Sequence, residues 1–101
     1  MDHLKKLISV IRETRTYLAR EGNDYSWSSW NDQEDALAEI DSILAQLENG
    51  SVPNIEVLFA PTGPIQEVSM SSGWSREFLQ LAERFDEAYA MAKKDHENSN
   101  S

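Results

Sequence analysis

Apolar residues in this chain recur at intervals of three and four in three separate stretches. In the first, Leu4, Leu7, Ile8, Ile11 and Leu18 predict a helix over 3–20, with Thr14 and Arg15 filling the turn between and Tyr17 on the flank. Gly22-Asn23 is a natural stop for it. In the second, Leu37, Ile40, Leu44 and Leu47 mark a buried face, with Ile43 beside them. Asn31 is the expected cap of this helix and Glu34 its reciprocal capping-box partner, while Asp32 and Asp35 suit the positive end of the helix dipole. Asn49-Gly50 should end it, with Gly50 left-handed. In the third, Phe78, Leu81, Ala82, Phe85, Ala88, Tyr89 and Ala92 repeat at helical spacing. Ser75 is the expected cap, Trp74 and Leu79 hold staple positions, and Lys93 and Lys94 complement the dipole in the last turn.

Two connecting stretches are less regular. Residues 22–30, Gly-Asn-Asp-Tyr-Ser-Trp-Ser-Ser-Trp, are a loop by composition but carry three large aromatics. Such a loop either packs back onto the domain or presents a surface to a partner. Residues 52–73 admit two readings. A β-hairpin would pair 55–59 with 65–70 around Pro61-Thr62-Gly63-Pro64. Short helical segments would instead place Pro53 and Pro64 in first turns and end at Gly73. Val57, Leu58 and Phe59 are consecutive apolar residues, and Ile65 and Val68 are three apart, which favours helix or turn. The expected fold is therefore all-α: a compact small helical bundle with an irregular or short-helical middle, α+β being the alternative if 55–70 forms a hairpin. The first two helices should pair as an antiparallel hairpin with the last packed across them, since helices this short are not stable alone in water. Residues 1–94 are expected to form a single helical domain and 95–101 a disordered polar tail.

Charge adds a further distinction. Eighteen acidic residues face nine basic ones, a formal net charge of -9. Residues 1–21 carry five basic and three acidic groups, residues 22–75 nine acidic groups and no Lys or Arg, and residues 76–101 four basic and six acidic groups. This balance disfavours nucleic acid and anionic membrane surfaces and permits a basic protein partner. No run is apolar enough to span a bilayer, and Met1-Asp2-His3-Leu4-Lys5-Lys6 opens an amphipathic pattern rather than a signal-peptide core, so a cytoplasmic location is expected. The chain has no cysteine, which excludes disulfides and thiolate metal sites.

Candidate chemistry is sparse. His3 and His96 lie near opposite ends and fit no metal-ligand or triad spacing. No phosphate-binding glycine loop is present, and Pro64 after Thr62-Gly63 has no N–H to offer. Asn49-Gly50-Ser51 matches a glycosylation sequon but is explained as a helix stop. Neither a cofactor nor a metal site is expected, and the protein is expected not to be an enzyme. Carboxylates remain: Asp35 and Glu39 are four apart on one face of the second helix, beside Asp32, and Glu67 has no immediate structural role. A carboxylate enzyme or ligand binder would need at least two of Asp32, Asp35, Glu39 and Glu67 to converge in a pocket. Aromatics beside a single-sign field instead describe a protein-binding face, with Tyr25, Trp27, Trp30, Asp32, Asp35, Glu39 and Glu67 as its candidate residues. A homo-oligomeric accessory role is a third reading.

Tyr25-Ser26-Trp27-Ser28-Ser29-Trp30, Leu58-Phe59-Ala60-Pro61-Thr62-Gly63-Pro64-Ile65-Gln66-Glu67-Val68-Ser69, Ser72-Gly73-Trp74 and the Phe78 to Asp86 segment together resemble a family of small uncharacterised bacterial proteins. The resemblance covers nearly the whole chain and carries no catalytic or binding residue. Within the motif, Pro61 and Gly63 are expected to set a turn, and Thr62 to cap the segment beginning at Pro64. Some similar small acidic proteins accompany secreted toxins as immunity proteins, which is the expectation this resemblance adds: an immunity protein or inhibitor of a basic toxin.

Overall fold

The computed structural model describes residues 2–26, 28, 30–60 and 63–99, with side chains described from 3 to 94 within those ranges. It contains α1 (Asp2–Leu18), α2 (Gln33–Glu48), a 3₁₀ turn (Glu56–Phe59), α3 (Pro64–Ser72) and α4 (Ser75–Ser99), and no strand among the described residues. The fold is all-α, and the hairpin alternative at 55–70 is overturned. Leu58 and Phe59 are both buried, as adjacent residues of a tight helical turn can be and adjacent residues of a one-sided strand cannot. The turn of Pro61 and the cap of Thr62 lie outside the described residues. Gly63 holds the N-cap position of α3 without a side-chain cap bond, and Pro64 opens the helix.

α1 is the central strut and packs against both α4 and α2, while α3 and the 3₁₀ turn cover α4. Leu7, Val10, Ile11 and Leu18 form its buried face. The gap in its apolar stripe is filled by Thr14, which is fully buried and donates its hydroxyl to the Val10 carbonyl at 2.8 Å. That bond within the helix satisfies the one polar group on a dry face. α2 contributes Ala36, Ile40, Ile43, Leu44 and Leu47 to the core, with Leu37 only half-buried. α4 contributes Phe78, Leu81, Phe85, Ala88, Tyr89 and Ala92. Phe59 stacks on Phe85 at 4.1 Å between ring centroids, and Phe85 on Tyr89 at 5.1 Å. These aromatic contacts dock the irregular middle onto α4.

Several helix ends differ from the expected ones. Asp32, not Asn31, caps α2, accepting from the Asp35 N–H at 3.0 Å. Asp35 reciprocates by accepting from the Asn31 N–H at 3.2 Å. The capping box therefore uses Asp32 and Asp35 and leaves Glu34 outside it. Ser75 is the first residue of α4 rather than its cap, and the Phe78 N–H donates to the Trp74 carbonyl. Leu79 is 61 % exposed, so it staples nothing. The α4 backbone continues past Lys94 to Ser99, since no glycine or proline interrupts it.

Gly50 and Gly73 have φ of 89° and 86°, the left-handed conformation that ends α2 and α3. Gly63 is constrained differently. Its backbone is extended, but a Cβ there would collide with the Val57 carbonyl oxygen and lie 2.9 Å from that of Ala60. Gly63→Ala should therefore cost about 1–3 kcal/mol through overpacking against rigid backbone. Urea unfolding checks this; a loss below about 0.5 kcal/mol would show that the turn yields freely.

Candidate functional site

The loop between α1 and α2 is built around the end of α1. A helix leaves its last carbonyls without partners, and here side chains supply them. The Leu18 carbonyl accepts from Asn23 Nδ2 at 3.1 Å, the Tyr25 hydroxyl at 2.6 Å and Gln33 Nε2 at 2.9 Å. Asn23 Nδ2 also donates to the Tyr17 carbonyl at 2.8 Å, and Gln33 Nε2 to that of Arg20 at 3.1 Å. The other end of the Asn23 amide accepts from Trp74 Nε1 at 3.0 Å. Trp74 is 2 % exposed and stacks on Tyr17 at 5.1 Å, while Arg20 lies 4.3 Å from the Tyr17 ring centroid. The Asp24 N–H donates to Ser72 Oγ at 2.8 Å, a second tie to the α3–α4 junction.

This arrangement places the aromatic candidates. Trp30 is 7 % exposed and belongs to the core. Tyr25 is half-buried with its hydroxyl bonded to α1, and burial pushes its phenol up against the opposing effect of its bonds with Asn23 and Gln33. Trp30 presents no open face for a partner to cover, while Tyr25 borders a surface cleft. Trp27 lies outside the described residues. Asp24 is drawn below the ordinary carboxylate range by hydrogen bonds from Ser26, side chain first and backbone second.

The central carboxylates are spread over α2, the 3₁₀ turn and α3. α1 lends its arginines to α2: Arg15 meets Asp41 through two bonds of 2.6 and 3.2 Å, and Arg12 meets Glu48 at 2.6 Å. The Arg15 bond lowers the Asp41 carboxyl and raises the guanidinium in turn. Both pairs are exposed, so their value lies in register more than in stability. Asp32 and Asp35 are occupied in capping. Glu34, Glu39 and Glu56 are exposed and enter no ion pair among the described residues. Glu67 is half-buried in the first turn of α3, where a negative charge compensates for the missing side-chain cap.

The clefts of the described surface include three of note. One, between α1 and α4, is bordered by His3, Lys6, Arg84 and Glu87 over Val10, Ala88 and Met91. A polar one follows Arg20–Asn23, Tyr25 and Asn31–Gln33. The third is a groove of about 540 Å³ between α2 and the Pro53–Leu58 segment, with Glu39 and Val57 along it. Asp32 lines the second and Glu39 the third, and none of the three unites two of Asp32, Asp35, Glu39 and Glu67. Among the described residues, no three histidines or carboxylates are grouped to hold a metal ion, and no helix is long and apolar enough to cross a membrane.

Two features escaped the reading of the sequence. Asn23 marks a helix stop, but its bond to Trp74 spans 51 positions and leaves no local pattern. Val57 is 63 % exposed, and its signal was present in the Val57-Leu58-Phe59 run. Three consecutive apolar residues in one turn cannot all face inwards. No family model, curated protein or solved structure matches the chain.

The Tyr25 geometry has a measurable consequence. Because burial raises its phenol in the folded state, its stabilising contribution is complete below the unfolded value, about pH 10, and is lost as pH rises through the folded value. Tyr25→Phe should cost about 1 kcal/mol at neutral pH through the lost bond to Leu18 and should flatten the alkaline decline. Urea midpoints at neutral and alkaline pH check both; an unchanged alkaline slope would contradict the assignment.

Proposed function

We propose that this protein is a non-catalytic binding module for a basic protein partner, and that its working surface is formed by the exposed carboxylates of α2 together with the Pro53–Leu58 segment. One observation carries the reading. Arg15 and Arg12 of α1 are paired with Asp41 and Glu48, while Glu34, Glu39 and Glu56 are exposed and enter no ion pair among the described residues, in a stretch that has no Lys or Arg between residues 22 and 75. Such a field speeds encounter with a positively charged surface and repels anionic ones, nucleic acid included. Neutralising a basic toxin or nuclease is the task this physics suits, and the resemblance to small bacterial proteins favours an immunity-type role in a bacterial cytoplasm.

Several residues expected at the working surface have structural duties instead. Asp32 and Asp35 cap α2, Trp30 is in the core, and Tyr25 holds the end of α1. Glu39 keeps its candidate role, joined by Glu34 and Glu56.

Affinity capture with the purified protein, at low and moderate salt, tests the proposal. One reproducible basic partner should be recovered, and the Glu34→Lys, Glu39→Lys, Glu56→Lys triple variant should lose it by about tenfold or more. Charge reversal at Glu83 and Asp86 on α4 should leave capture intact. Equal losses from both sets, or a partner insensitive to both, would overturn the reading.

A further inference from the structure

The groove between α2 and the 3₁₀ turn is more specific than the acidic field around it. Its floor includes Ile43 and Leu58, both buried. Val57 stands beside them, largely exposed. On the opposite wall, Ala38 and Ser42 lie four apart on α2, so small side chains face the groove on successive turns. Small residues let a second helix approach closely. Glu39 stands on the same wall, and Glu56 adjoins Val57. An apolar floor with carboxylates and no cation on either lining element is the complement of one kind of surface.

We propose that this groove receives a single amphipathic helix of a basic partner, its apolar ridge on Val57 and Ile43 and its Lys or Arg flanks on Glu39 and Glu56. The inference rests on the basic-partner reading above and adds the docking element. Charge complementarity selects the occupant. A second copy of this chain would bring Glu39 and Glu56 against each other's acidic surroundings, in a chain of net charge -9. A strand-forming peptide would need a sheet edge and a polyproline-type peptide an aromatic-lined groove, whereas the described residues form no strand and no aromatic lines this groove. A helix satisfies its own backbone and needs only apolar contact and charge, which the groove supplies.

The test uses the whole, isotope-labelled protein and two synthetic peptides of about 15 residues. Both contain Leu, Ala, Lys and Arg in equal numbers; in one the leucines recur every three or four positions, and in the other they are scrambled. The amphipathic peptide should bind about tenfold tighter, with amide shifts centred on 38–46 and 55–58. Val57→Asp should reduce its affinity to that of the scrambled peptide without lowering the urea midpoint, since Val57 is exposed. Equal binding of both peptides, abolished by salt, would overturn the groove while leaving the basic-partner reading standing. Absence of binding, shifts on the α1–α4 side, or indifference to Val57→Asp would each overturn the groove, and the capture experiment would judge the basic-partner reading separately. Sedimentation showing a dimer that Val57→Asp dissociates would assign the groove to a second copy and overturn the proposal.

Discussion

The end of α1 is the constraint around which the rest of the molecule is arranged. Its last carbonyls emerge where the loop, the start of α2 and the start of α4 converge, so they require protein partners rather than bulk water. Asn23 meets this need with both ends of one amide: its nitrogen serves Tyr17 and Leu18, and its oxygen takes the Trp74 indole N–H. Tyr25 and Gln33 complete the set. Each such bond contributes about 1 kcal/mol net, but together they decide where the loop lies and how α4 enters the fold. Among the described residues no buried side-chain nitrogen or oxygen lacks a partner.

That arrangement has consequences for function. With Trp30 in the core and Tyr25 bonded to the helix end, the aromatic loop acts as a clamp. Meanwhile Arg12 and Arg15 of α1 pair with Glu48 and Asp41 of α2, a spacing that matches antiparallel neighbours, and cancel part of the central acidity. What remains outward is a narrower set of carboxylates beside the groove that Val57 borders. Charge and exposed apolar area then coincide at α2 and the 3₁₀ turn rather than at the loop.

The helices were legible because their signals are local. The α1 stripe, the α4 repeat and the left-handed glycines after α2 and α3 each lie within a few residues of what they determine. The cap of α2 moved by one residue because the reciprocal partner is Asp35 rather than Glu34, a choice between neighbouring acids that spacing alone leaves close. Thr14 interrupts the apolar pattern yet is buried, since its hydroxyl bonds within its own helix. The site was much less legible. Acidity pointed to the central stretch as a candidate, but whether an aromatic faces inwards depends on partners dozens of positions away. Trp74 and Asn23 are a pair of that kind, and Phe59 on Phe85 is another.

A double-mutant cycle on Asn23→Ala and Trp74→Phe tests the central claim most directly. Phenylalanine keeps an aromatic ring against Tyr17 but removes the indole N–H that Asn23 accepts together with part of the ring's volume, and the cycle subtracts that packing loss from the coupling. If the clamp organises the fold, the two substitutions should be coupled by about 1 kcal/mol in urea unfolding, the double variant losing less than the sum of the singles. Strict additivity within about 0.3 kcal/mol would contradict it and would separate the end of α1 from the start of α4.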